Sequence, residues 1–340
     1  MKRLSVVLIL VLFIAQQSFA ETPGTPAIDT GITQTKPSKI YTPKVSGPWR
    51  HIYNPNDRRK PIDSMLWYTN DHSFVYGSDR QWHCYGIIGW GKFTNQQATD
   101  NDVSPWTRET NLFHISAKNL DDLIWPEHDY AMTVDKGVER VLWAPYVLKD
   151  TNKYVMFYNT GSLFANADQY ASFGSLRKAT SADMFHWKKY ALNPLFSDPG
   201  HSRDSYVMKY NHLWYYYYCR VKNELDSTSC VAVRTSPDGD NWSGPAIAHE
   251  EPPFGHWGGN TESPFVVQYK GLFYLFICYS SDYNKTLVYW SNDPLHFPKE
   301  NLVTTIAAHA VEIMQDKDRW FISNTGWDKD GLYLAKMIWE

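Results

Sequence analysis

SRDSYVMK (202–209), LWYYYYCRV (213–221) and TSPDGDNW (235–242) follow in close succession: a short strand-like run, an aromatic strand and a polar turn. β-Branched and aromatic residues suit strands, whereas Ser, Pro, Asp, Gly and Asn suit turns, each for its own conformational reason. The same plan recurs on both sides. Opening runs stand at NDHSFVYG (70–77), WAPYVLKD (143–150), ESPFVVQY (262–269) and AVEIMQD (310–316). Aromatic second strands stand at QWHCYGIIG (81–89), KYVMFYNTG (153–161), LFYLFICYS (272–280) and RWFISNTGW (319–327). TSADMFHW (180–187) and WSNDPLHF (290–297) match the polar turn, while NLFHISA and GLYLAKMIW close the first and last units.

Aligning the opening runs puts His72, Pro145, Ser205, Pro264 and Val311 in register, with steps of 73, 60, 59 and 47 residues. Strand-only repeats of this length are the mark of a β-propeller, one four-stranded sheet per repeat. The expected fold is therefore all-β: a single five-bladed β-propeller of four-stranded antiparallel blades over residues 64–340. The first step is the longest, so an insertion is expected within 90–140, with GKFTNQQATDNDVSPW (91–106) as a loop over one face.

The chain has 340 residues, 43% of them hydrophobic, with 15 Trp, 23 Tyr and 16 Phe, enough for a large core. Its net charge is −3 and no basic stretch interleaves with aromatics, so nucleic acid is excluded as a partner. Residues 1–20 read as a secretory signal: Lys2 and Arg3, an apolar run from Leu4 to Ala15, and Ser18-Phe19-Ala20 as a small-x-small cleavage site. Export to a periplasmic or extracellular location is expected, with no membrane partner for the mature chain. Residues 21–63, with Pro23, Pro26, Pro37, Pro43 and Pro48, read as an N-terminal tail or linker. Four cysteines are too few for a disulfide scaffold. A hairpin centred on Lys222 to Thr228 would place Cys219 opposite Cys230, leaving two readings, a disulfide or two buried thiols.

In a propeller the first strand of each blade lines the central channel, so its opening residues converge. Asp71, Ala144, Asp204 and Ser263 occupy equivalent positions and Glu262 lies one residue earlier in its blade. Three carboxylates from three blades are thus expected in one funnel. Glycoside hydrolysis uses such a set: an acid for the leaving oxygen, a base or nucleophile, and a third group to tune them. Trp90, Trp143 and Trp257 are candidates for stacking on sugar faces, and His256 and His309 for hydrogen bonds to hydroxyls. Glu312 reads as a structural hydrogen-bonding residue. No dense Asp/Asn loop appears, so neither a metal nor another cofactor is expected.

ND (70–71), WAP (143–145), RD (203–204), ESP (262–264) and HAVEI (309–313), one per blade and in that order, resemble the five-bladed furanosidase-type glycoside hydrolases of families 43 and 32. The resemblance covers about residues 64–340. It implies Asp71 as general base, as in family 43, or nucleophile, as in family 32, and Glu262 as general acid. It further implies that Asp204 stabilises the transition state or tunes the acid, and that Arg203 contacts substrate. The chain departs from family 32 in carrying His72 and Ser205 where that family has Pro, and ESP in place of Glu-Cys-Pro. The functions left open are a hydrolase acting on terminal furanosides or related sugars of polysaccharide-derived chains, a phosphorylase on the same scaffold, and a non-catalytic carbohydrate-binding propeller.

Overall fold

The second strand of each repeat is apolar at consecutive positions, and alternate side chains of a strand point to opposite sides, so both of its faces must be covered. The computed structural model describes residues 37–63, 65–94, 97–98, 105–161, 175–198, 202–223, 228–254, 259–279 and 282–340, and shows what covers them. Residues 214–218 are the clearest case. Trp214, Tyr216 and Tyr218 pack with Val155, Phe157 and Leu176 of the preceding blade, whereas Tyr215 and Tyr217 pack with Phe265, Tyr274 and Tyr289 of the following one. Equivalent layers join the first blade to the second and the fifth to the first. The core of the molecule is thus a set of aromatic layers between sheets.

Five antiparallel sheets carry these strands. Their inner strands are Leu66–Tyr76, Trp143–Asp150, Ser202–Tyr210, Glu262–Tyr269 and Ile313–Asp316. The second strands are Trp82–Gly91, Lys153–Thr160, Leu213–Asn223, Leu272–Tyr279 and Arg319–Asn324, and each pairs with its inner strand. The repeated polar turns are held alike. In TSADMFHW the Met184 N–H donates to Ser181 Oγ at 2.8 Å and the Phe185 N–H to Asp183 Oδ1 at 2.9 Å. In TSPDGDNW the Gly239 and Asp240 N–H groups make the same contacts to Ser236 and Asp238, both at 2.9 Å.

The structure alters two expectations. Pro43–Val45 and Arg50–Tyr53, which composition assigns to the tail, both pair with the last strand, Leu332–Trp339, and complete the fifth blade. An unpaired last strand would leave a row of open backbone groups, and the chain's own N-terminal portion fills it. Compositional reading missed this because Pro43 begins a strand at the sheet edge, where no ladder N–H is needed. Residues 1–36 lie outside the described residues, and with them the signal and the remainder of the tail.

The disulfide reading fails on register. Cys219 pairs with Val231 and Cys230 with Arg220, a one-residue offset that sends the two sulfurs to opposite faces. All four cysteines are buried free thiols. Among the described residues no helix is long and apolar enough to cross a membrane.

Candidate active site

A β-bulge opens the inner strands of the first four blades. Pairing skips between Thr69 and His72, between Trp143 and Tyr146, between Arg203 and Tyr206, and between Glu262 and Phe265, so two inner residues face one partner. In blades two to five the residue at the repeated position adopts a left-handed conformation: Ala144 at φ 43°, Asp204 at 64°, Ser263 at 46° and Ala310 at 47°. Non-glycine residues rarely adopt it, and it costs about 1–2 kcal/mol each. The bulge turns successive side chains toward the channel mouth. Asp71, His72, Ala144, Asp204, Ser205, Ser263, Ala310 and Glu312 accordingly line one narrow central cavity, with room for about one water at ≈ 20 Å³.

Asp71 and Asp204 line this cavity, and Glu262 is tied to them through Arg203, so the three carboxylates expected from sequence are wired together. Ser263 Oγ donates to Asp71 Oδ1 at 2.5 Å, and the Ser263 backbone N–H donates to Asp204 Oδ2 at 3.0 Å. Arg203 Nε lies 3.4 Å from the same Asp204 oxygen, and its terminal amino group forms a close ion pair with Glu262. Asn159 Oδ1 accepts from the Asp204 N–H at 3.2 Å. One serine and one arginine therefore link residues from the first, third and fourth blades.

Burial dominates the electrostatics. It raises Asp71 to about 7, with Asp204 adding to the rise and the Ser263 hydroxyl and Arg203 opposing it. Burial raises Glu262 to about 8 against the pull of Arg203, with Asp204 and Asp71 pushing the same way. Asp204 is also raised by burial, held back by Arg203 and the Ser263 N–H. Three carboxyl groups with raised pKa values thus share one low-dielectric environment.

The aromatic and histidine candidates divide. Trp143 is buried beside Trp106, ring centroids 5.8 Å apart, and lies close to the Glu109 carboxyl group. His309 lies against Tyr283 with centroids 3.8 Å apart, and its Nδ1 has no hydrogen-bond partner among the described residues. Burial holds its imidazole well below the usual range, so it is neutral. Trp90 is not brought to the carboxylates: it pairs with Trp67 at 4.9 Å, four residues before Asp71 along the first blade. His256 and Trp257 lie outside the described residues. Glu312, read as structural, is buried within the cavity wall, its N–H donating to Ser323 Oγ at 2.8 Å.

Sequence reading missed a fourth carboxyl group, Glu109. It follows a short 3-10 turn, Pro105–Arg108, inside the insertion, where no repeat exists to align it. Tyr68 Oη donates to Glu109 Oε1 at 2.7 Å and Trp327 Nε1 donates to the same oxygen at 3.3 Å. Burial nevertheless raises Glu109 to about 8, with Asp71 contributing. Tyr283 was missed as well. It packs against His309 and Trp327 and feels the charges of Glu262, Asp71 and Glu109. The signal for Trp327 was present: in RWFISNTGW it falls beyond the strand Arg319–Asn324, after the Asn-Thr-Gly turn, and so is not blade core.

No protein-family model matches the chain, and no curated protein is significantly similar to it in sequence. Solved structures are similar in fold. A family-43 β-xylosidase/α-arabinofuranosidase from a compost microbial metagenome, in complex with xylotriose, superposes with a TM-score of 0.57 at 15% identity, over 87% of this chain and 94% of that one. A family-117 glycoside hydrolase of the marine bacterium Zobellia galactanivorans gives 0.60 at 12% identity, over 88% and 90%. A family-32 β-fructofuranosidase of Bombyx mori gives 0.55 at 16%, over 88% of this chain and 61% of that one. The fold is that of the five-bladed glycosidase propellers. The channel mouth described above is the feature of this propeller at which carboxylates from separate blades converge.

Proposed function

We propose that the protein is an exported glycoside hydrolase that releases terminal sugars, furanosides or related rings, from polysaccharide-derived oligosaccharides. The observation that carries this reading is the Asp71–Ser263–Asp204–Arg203–Glu262 chain of contacts in one buried pocket. Glu262, raised by burial, carries the proton that goes to the glycosidic oxygen as the bond from that oxygen to the anomeric carbon breaks. Arg203 remains beside the carboxylate this leaves behind and stabilises it. Asp71, oriented by the Ser263 hydroxyl, removes a proton from the water whose oxygen bonds to the anomeric carbon. Asp204 keeps Ser263 and Arg203 in place and adds negative charge opposite the oxocarbenium-like transition state.

Other observations favour the same reading. Asn70 Oδ1, Asn159 Nδ2 and His309 Nδ1 are buried without hydrogen-bond partners among the described residues, and sugar hydroxyls supply such partners. The similar folds include a β-xylosidase/α-arabinofuranosidase bound to xylotriose and a β-fructofuranosidase, which agrees with an oligosaccharide substrate. The charged, apolar and small-residue order of residues 1–20 supports export. Arg203 is engaged by Asp204 and Glu262, which argues against a phosphate site and hence against a phosphorylase. Sugar release is assayed on arabino-, galacto-, fructo- and xylo-configured glycosides with and without inorganic phosphate. Release at the same rate in both supports the hydrolase; release that requires phosphate overturns it.

A further inference from the structure

Aromatic rings from four blades gather around Glu109. Tyr68 of the first blade is buried and donates to its carboxyl group, and Trp143 of the second is buried close to it. Trp327 of the fifth blade and Tyr283 of the fourth are only partly covered. Their rings lie within 27° of parallel with centroids 6.0 Å apart, too close to sandwich a sugar and suited to a shared surface. We propose that Trp327 and Tyr283 form the stacking platform for the sugar ring bound beside Asp71, and that Glu109 is the positioning residue that fixes this platform. The proposal rests on the glycosidase reading and deepens it.

Three independent contacts hold the platform. Glu109 Oε1 takes the indole N–H of Trp327 at 3.3 Å, which sets the rotation of that ring. Lys329 Nζ donates to the Tyr283 carbonyl at 2.9 Å while paired with Asp328 at 3.1 Å, so the loop between the second and last strands of the fifth blade grips the fourth. Gly326 leaves the backbone no side chain at the junction: a Cβ there would meet Tyr283 Cδ1 at 3.0 Å. An aromatic ring presents an apolar face to the C–H face of a sugar, and the adjacent His309 Nδ1 faces a hydroxyl at the ring's edge. The platform selects for a sugar ring that presents one C–H face free of hydroxyls.

Calorimetric titration with xylotriose, arabinotriose and sucrose tests this in an Asp71→Asn background, which prevents turnover. Trp327→Ala and Tyr283→Ala are expected to weaken binding of the preferred sugar about tenfold, the worth of one aromatic contact. Glu109→Ala is expected to do the same. Glu109→Gln, whose amide oxygen still accepts from Tyr68 and Trp327, is expected to restore affinity without lowering the melting temperature. Undiminished binding in both Trp327→Ala and Tyr283→Ala overturns the platform. Equal loss in Glu109→Gln and Glu109→Ala overturns the positioning role. Failure of the Asp71→Asn protein to bind any of the three sugars contradicts the glycosidase reading itself, and the platform with it.

Discussion

In the proposed mechanism Asp71 and Glu262 work in opposite protonation states, and burial sets the window in which they do. Below about 7 Asp71 gains a proton and ceases to act as base; above about 8 Glu262 loses its proton and ceases to act as acid. The kcat/KM profile is therefore expected to be a narrow bell peaking between those values, with limbs that belong to the coupled carboxyl set rather than to single residues. A plateau extending down to pH 5 would contradict the assignment of Asp71. Glu262→Gln keeps an acceptor for Arg203 but has no proton to give, so it is expected to lose about 10²–10⁴ in rate on substrates with poor leaving groups. The same buried carboxyls bear on stability. A carboxyl whose folded pKa lies above its unfolded value destabilises the fold as pH rises from the unfolded toward the folded value. Glu262→Gln is thus expected to raise the melting temperature at pH 8 and to change it far less at pH 5. Asp71, Asp204 and Glu262 were legible because each sits in a repeat and can be aligned. Glu109 was not, because it belongs to an insertion and reaches the pocket only through tertiary packing.

The bulge at the start of the inner strands is the element that aims the site, and it works through backbone geometry that sequence shows only indirectly. The register of Ala144, Asp204 and Ser263 was readable, but not that all three, with Ala310, hold positive φ. Alanine tolerates this region at a cost, glycine does not pay it, and a β-branched residue is a marked outlier there. Ala144→Gly is expected to stay within about 1 kcal/mol of the parent, whereas Ala144→Val is expected to lose about 2 kcal/mol or more, read by chemical denaturation. Equal stability of the two would mean that the left-handed turn is not required. Strand register also explains the cysteine outcome. The segment between Cys219 and Cys230 is a hairpin, but its ladder pairs Cys219 with Val231 and Arg220 with Cys230, so the two sulfurs are offset by one residue. A single extra residue in a ladder reverses the face of every side chain beyond it, and no compositional signal reports it.

At the scale of the molecule, residues 43–53 return to the last strand and complete the fifth blade, which packs on the first. The Thr42 N–H donates to the Glu340 carbonyl at 2.9 Å, the Glu340 N–H returns the bond at 3.0 Å, and the Tyr41 N–H reaches Tyr274 Oη at 2.9 Å. Deleting the chain through Tyr53 is expected to lower the melting temperature and to promote association through the exposed Leu332–Trp339 edge; an unchanged, monomeric protein would show that the closure is dispensable. The architecture was legible because blade periodicity is a property of the whole chain, whereas the closure was hidden in a proline-rich stretch that carries two short strands. The most direct test of the central claim is a proton NMR time course of the purified protein and its Glu262→Gln variant with arabino-, galacto-, fructo- and xylo-configured oligosaccharides. The account predicts that the parent releases one terminal sugar, with the inverted anomer appearing first, and that the variant releases none on the same timescale. Equal release by both, or none by the parent across the panel, would contradict it.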